Sequence, residues 1–504
     1  MPPTPLPCPV MTPPCSVVSG GLLSSANAGL RRMFRALWRR NYRIYFIGQT
    51  ASMSGTWMGA VAQGWLVLTL SGRALDLGVL TALQFGPSLV LSPWGGVIAD
   101  RSDKRRLLML TNGVAAALAF LLGMLTLAGT VQVWMVYVLA TLTGCVVAID
   151  SPSRQAFVYE MVGGDDLANA VGLNSVIINA SRVIGPALAG LVIASVGTAW
   201  CFMGNAASFL VVIAALLLMR VAELERVPRQ PRQPHQLRDG LAYVAATHGL
   251  MVPLLVMAVV STLGYNFSVL LPLLAERVFE RGGGSYGALT TAMGIGALGG
   301  ALSVAALRRP SRRLLVLATF TFGAFIVAVG LAPGFIMALV LLVPMGAAAV
   351  AFVSLTNSLL QLEAEPAMRG RVMALWSAVF LGSTPVGGPL AAAFASWWGT
   401  RAAIVIGGVA TVLTAAFAAA HLRRRRQRIA AAEAKGSLAA AGAVGGVAAA
   451  GATGSLAAAG AEGRGEAGMS TTRVVPEPLP CDPVCEETAE AGGRTVGLDG
   501  AAGS

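Results

Sequence analysis

Twelve apolar segments, each long enough to cross a bilayer, leave this 504-residue chain few folds to choose from. A helix needs roughly 20 residues to span ~30 Å of hydrocarbon. The segments run 43–70, 75–99, 105–128, 132–151, 167–195, 199–220, 250–275, 285–307, 314–332, 335–360, 370–396 and 401–421. Several connections are as short as Gly129-Thr130, which makes sequential helices antiparallel neighbours. Apolar residues form 55% of the chain and charged residues only 12%, too few to cover a soluble protein of this size.

The cations set the orientation. Twenty-seven arginines and lysines lie around the start of the first helix, in the loops of that same side, or in the run Arg423 to Arg428 after the last helix; the opposite loops hold four, Arg73, Arg277, Arg281 and Arg401. The excess of positive charge marks the cytoplasmic side, so both termini are expected there. The protein is expected in the plasma (inner) membrane, and the net charge of +13 follows from topology, with no nucleic-acid partner implied. The Arg423-Arg424-Arg425-Arg426-Gln427-Arg428 run fits anionic membrane lipid. No cleavable signal peptide is visible in the Pro-rich start.

The halves repeat. Val183-Ile184-Gly185-Pro186-Ala187-Leu188 in the fifth helix has a counterpart, Pro385-Val386-Gly387-Gly388-Pro389-Leu390, in the eleventh, about 203 residues later. A six-plus-six repeat joined by a polar linker is the plan of many secondary transporters. The expected domains are a disordered tail 1–34, a six-helix bundle 35–220, a linker 221–249, a second six-helix bundle 250–422 and a tail 423–504. The last is low-complexity, with Gly-Ser-Leu-Ala-Ala-Ala-Gly-Ala at 436–443 and again at 454–461, and reads as disorder. The fold class is an all-α membrane protein: twelve transmembrane helices in two pseudo-symmetric bundles.

Enzymatic chemistry finds little support. No Gly-x-x-x-x-Gly-Lys-Ser/Thr loop for ATP is present, and no convergent set of His, Asp, Ser or Cys falls in the spans. Cys145 and Cys201 read as small core residues, Cys8, Cys15, Cys481 and Cys485 lie in the tails, and His235, His248 and His421 are not near a cysteine pair. No metal and no resident cofactor are expected.

The densest charges sit in the turn Gly96-Val97-Ile98-Ala99-Asp100-Arg101-Ser102-Asp103-Lys104-Arg105-Arg106, where they must lie at a membrane face. Gly96, Asp100, Arg101, Arg105 and Arg106 match the loop between helices two and three of the major facilitator superfamily, which the chain resembles over about residues 35–422. Asp103 replaces that motif's usual glycine, and the stretches Asp165-Asp166-Leu167-Ala168-Asn169-Ala170 and Arg182 to Gly190 look like the drug and siderophore exporter branch, which includes enterobactin exporters and macrolide efflux pumps. The resemblance implies the major facilitator fold, a small amphipathic cargo, export by alternating access, coupling to inward proton movement, and a monomer. Uptake is the rival direction; a sensor or scaffold on a transporter fold is the rival class.

Each candidate residue has a plain reading and a sharper one. The Asp100 turn is either a solvated topogenic loop or a conformational latch. In the latch, the resemblance places the start of helix eleven, near Arg369-Gly370-Arg371, opposite Asp100, with Arg154 as the partner cation. Gly185, Pro186 and Gly190 form either a packing kink or a seal on the outward path. Arg182, near mid-span, is either a structural cation or one facing a cavity. Asp150, read as the end of helix four before Pro152, is either a helix-end polar group or a protonatable coupling site; Glu276 is a second candidate. Helix one carries no acid between Arg43 and Leu70, unlike several drug antiporters. Gln49, Gln63, Gln84, Asn179, Asn266 and Asn357, with Trp376, are either interhelical glue or cavity lining.

Overall fold

The computed structural model describes residues 35–225, 243–244, 247–307, 310–366, 368–424, 426–427 and 430–431. The tail 1–34, linker residues 226–242, Arg308, Arg309 and the repeats at 436–443 and 454–461 lie outside the described residues. A short 3-10 turn, Arg35–Trp38, leads into α1 (Arg40–Ser71), α2 (Ala74–Arg101) and α3 (Lys104–Leu127). Then come α4 (Val133–Gly164), α5 (Asp166–Ser195) and α6 (Thr198–Leu217). The second half holds α7 (His248–Val278, interrupted), α8 (Gly283–Ala305), α9 (Arg312–Gly330), α10 (Phe335–Glu363), α11 (Arg369–Trp398) and α12 (Thr400–Arg424). Eleven of these are long and apolar enough to cross a membrane. The other, α1, is 32 residues long but more polar, because it buries Gln49, Ser52 and Ser54 inside its bundle instead of facing lipid.

Helix four does not end at 151. It continues through Pro152 to Gly164, where Gly163 turns the chain into α5 at φ 68°, a left-handed conformation that favours glycine. A proline inside a helix leaves the carbonyl four residues back without its donor. For Pro152 that carbonyl is Ala148's, and Gly95 of α2 packs directly on it. Pro186 frees the carbonyl of Arg182 in the same way, and Gly294 of α8 packs there. A side chain on either glycine would strike backbone, so each proline is matched to a glycine on the neighbouring helix.

Helix seven also departs from the expected 250–275. It starts at His248, breaks between Gly264 and Asn266, resumes as Phe267–Leu273 and ends in a π-helical turn, Leu274–Val278. At the break the buried Asn266 amide donates to the Thr262 carbonyl at 2.7 Å, standing in for part of the helix ladder.

The two halves repeat at the end that carries the Asp100 turn, called here the motif end. Lys104, opening α3, pairs with Glu160 of α4 at 2.6 Å. Arg312, opening α9, pairs with Glu363 of α10 at 2.5 Å. Each opening is capped by the residue before it: Asp103 accepts from the Arg106 backbone N–H and Ser311 from that of Leu314. The departure at Asp103 thus has a local cause, because an aspartate caps a helix where glycine has no side chain to do so.

Candidate functional site

The halves meet along two seams, α2 against α11 and α5 against α8, toward the end opposite the motif. On the first, Gly78 lies against Gly388, Pro389 and Ala392, and Gly388 against Thr81. On the second, Gly190 lies against Gly284 and Gly287, and Gly287 also against the Pro186 carbonyl. The Gly185, Pro186 and Gly190 element therefore sits in an interhelical contact, with Gly185 pressed on Trp57 and Ser54 of α1. Trp65 stacks on Tyr286, with ring centroids 6.5 Å apart, and Arg277 donates to the Gly72 carbonyl across the same end.

Closer to the motif end, Gly172 on α5 and Gly370 on α11 have open space around them, while Leu89 of α2 still reaches Gly382 of α11. Trp94 on α2 is 61% exposed there. Glycine contacts between the halves are thus dense at the far end and sparser toward the motif.

At the motif turn, Gly96 is buried while Asp100 and Arg101 are exposed. Arg105 holds the last carbonyls of α6, donating to Leu216 O at 2.7 Å, as suits a cation at a helix C-terminus. Arg106 is exposed and leans on Asp103 at 3.8 Å. Arg369 and Gly370 are exposed at the start of α11. Arg154 lies within α4, one turn from Asp150, and pairs with it at 3.6 Å; Pro152 between them does not break the helix.

The Asp150–Arg154 pair belongs to a polar cluster in the first half. Asp150 Oδ1 is reached by the Thr111 hydroxyl at 2.9 Å and the Asn112 amide at 3.2 Å, both from α3. Arg154 also points at the Met53 sulfur of α1, 3.9 Å away. One turn along α1, Trp57 lies beneath the Arg182 guanidinium, whose carbon is 5.5 Å from the ring centroid. Two arginines from two helices thus reach α1 one turn apart. Glu276 stands half-buried in the π-helical turn, away from this cluster in sequence and on the other half.

The amides divide. Gln49 and Asn266 are buried. Gln63 and Gln84 are half-buried on α1 and α2. Asn179 donates to Ser175 O on its own helix at 2.8 Å, and Asn357 accepts from Gln361 at 2.7 Å. Trp376 stacks on Phe380 at 5.6 Å, and its buried indole N–H has no partner among the described residues. Thr111, Asn112, Glu160 and Glu363 are functional or structural partners that the sequence reading overlooked. The two glutamates stand 203 residues apart, the same offset as the Gly-Pro elements, so the repeat itself carried the signal.

Comparisons with known proteins fit this geometry. A family model described as a transmembrane secretion effector of the major facilitator type matches residues 31–442. The Staphyloferrin A transporter of Staphylococcus aureus is 28% identical over 261 residues, which covers 51% of this chain and 64% of that relative, just under two thirds of its length. The Enterobactin exporter EntS of Escherichia coli O6:K15:H31 is 26% identical over 412 residues, 79% of this chain and 96% of the relative. A bacterial homologue of the human lysosomal transporter Spinster, in an inward-facing and unoccupied conformation, superposes with a TM-score of 0.61 at 16% identity over 75% of this chain and 95% of its own. The nucleoside transporter NupG gives 0.62 at 12% identity over 76% and 99%. Those two likenesses establish the fold alone. With the family match running through both bundles, the chain belongs to the transmembrane secretion effector family of the major facilitator superfamily.

Proposed function

We propose that this transporter exports a small amphipathic molecule, a drug or siderophore, by alternating access coupled to inward proton movement. The observation that carries the reading is the packing between the halves on α2, α5, α8 and α11, dense in glycine contacts at the far end and sparser toward the motif. With the cation-rich motif side taken as cytoplasmic in the plasma membrane, and both termini with it, this conformer accepts cargo from the cell interior. The siderophore names of the two relatives support a cargo of that kind. The working unit is a monomer whose partners are its cargo and membrane lipid, with a proton gradient in place of a cofactor.

Asp150 is the coupling carboxylate in this reading. It holds the charge of Arg154 and is bound by two donors of α3, so a proton arriving there would release Arg154 and loosen α3 from α4. The test is accumulation of a panel of fluorescent drugs and siderophores in cells with and without the protein. Lower accumulation that disappears when the proton gradient is dissipated supports the reading. A difference that survives dissipation excludes proton coupling, and higher accumulation reverses the direction.

A further inference from the structure

Arg182 lies near the middle of α5, at the depth where a charge without compensation is most costly. Its Nε is buried and has no hydrogen-bond partner among the described residues. No carboxylate among those residues pairs with it; the nearest acid of the polar cluster, Asp150, is committed to Arg154. What the guanidinium does have is the face of Trp57, and a ring quadrupole offsets only part of the lost hydration of a cation. Its own backbone carbonyl, freed by Pro186, is covered by Gly294.

Position adds to this. Arg182 is where the α5–α8 seam ends. From Arg182 to the far end, α5 packs on Gly294, Gly287 and Gly284; toward the motif end, Gly172 and Gly299 stand in open space. The cation therefore sits where the packed part of the α5–α8 seam ends. Among the described residues, Arg154 nearby is paired with Asp150, while Arg182 has no carboxylate partner.

We infer that the cargo is an organic oxyanion, seated with its oxygens on the terminal N–H groups of the Arg182 guanidinium and its apolar part along the Trp57 side of α1. This rests on the transport reading above, and names the class of molecule which that reading leaves open. A guanidinium presents parallel N–H donors that match the two oxygens of a carboxylate, and a carboxylate in a water-poor site gains more from that fork than it does in water.

The test uses purified full-length protein and three probes that share one aromatic body: naphthalene-1-acetate, its neutral amide, and a quaternary ammonium analogue. Binding is followed by titration, and uptake is followed in inverted vesicles under a proton gradient. Wild type is expected to bind the carboxylate at least about tenfold more tightly than the amide, and the ammonium least. Arg182→Gln is expected to bring carboxylate affinity down to the level of the amide and leave the amide unchanged; Arg182→Lys keeps part of the preference. Circular dichroism and gel filtration establish that both variants are folded, and should the glutamine variant fail to fold, the lysine variant carries the test through its reduced carboxylate preference. Retention of the full preference in the folded variant overturns the inference, as does a wild type that prefers the ammonium or binds none of the three. Gradient-driven uptake of the amide or ammonium without carboxylate preference leaves export standing and removes the anion site. Carboxylate binding that depends on Arg182 with no gradient-driven uptake of any probe leaves the site standing and removes the coupled-export reading. A phosphate monoester of the same body, compared with the carboxylate, tells which oxyanion the fork prefers.

Discussion

Lys104 Nζ lies 2.6 Å from Glu160 Oε1, tying the first residue of α3 to α4 four residues before that helix ends, and both side chains are largely shielded. The second bundle makes the same tie with a different cation, Arg312 on Glu363, through two hydrogen bonds. Each pair braces the motif end of its own half. A half-buried pair stands between exposed pairs, worth about 0–1 kcal/mol, and fully buried ones, whose disruption costs about 3–5 kcal/mol. Glu160→Gln should therefore lower stability by about 1–3 kcal/mol, read as the thermal midpoint of the purified protein. Glu363→Gln should do the same in the other half. The double exchange Lys104→Glu with Glu160→Lys should recover most of the loss; if it recovers none, the pair is not what holds these helices together.

Much of this was legible in the sequence. Span positions follow from solvent chemistry, and a repeat at a fixed offset implies two like halves. Proline misled the reading. Pro152 argues for a helix end when its missing donor is counted alone, yet α4 runs on, with Gly95 of the neighbouring helix packed against the freed carbonyl. That contact comes from a residue more than fifty positions away, and no local rule sees it. The Asp150–Arg154 spacing is helical once the helix is known to continue, but Thr111 and Asn112 reach Asp150 only through packing of α3 on α4. The interruption of α7 was hidden for the same reason: Asn266 reads as one more polar residue in an apolar run until Gly387 of α11 is found against it.

Asp150→Asn should leave a folded transporter that no longer responds to the proton gradient. The amide still accepts from Thr111 and keeps the shape of the site, but it neither carries a proton nor neutralises Arg154. Gradient-driven cargo movement in inverted vesicles should fall to the level of vesicles without the protein, while cargo-for-cargo exchange persists. Preserved gradient-driven movement would move the coupling role to another acid, with Glu276 the next to be changed.

Gly287→Leu should hold the far end apart. The added side chain would meet the backbone of Gly190 and the Pro186 carbonyl, and neither can shift without moving α5. The packed seam then becomes the unfavourable state, and population moves toward the conformer open at the far end. A cysteine placed at Thr81, buried in the α2–α11 seam, reports this through labelling by an impermeant maleimide from the far side. Labelling should rise severalfold over the same cysteine in the otherwise native protein. Unchanged labelling would mean that the two seams do not open together.

Asp100→Asn tests the opposite end. In the conformer described here the far-end seams are packed, and Asp100, Arg369 and Gly370 are exposed at the motif end. If Asp100 and the start of α11 form a latch, the conformer it favours is the one in which the motif end closes. The positive end of the α11 dipole attracts a carboxylate and has little attraction for an amide, so the substitution acts on the closed motif end and spares the state seen here. Coupling energies of this kind run about 1–3 kcal/mol, which corresponds to roughly 5–150-fold in the balance of states. The variant should reach the membrane at normal levels and transport at a small fraction of the native rate. Paired with Gly287→Leu, it makes the sharper comparison. If the latch and the seam oppose each other across one rocking motion, the leucine should partly restore the balance that the asparagine removes, and maleimide labelling at the Thr81 position should return toward its native level. If the two changes act independently on labelling, the turn anchors topology and takes no part in switching.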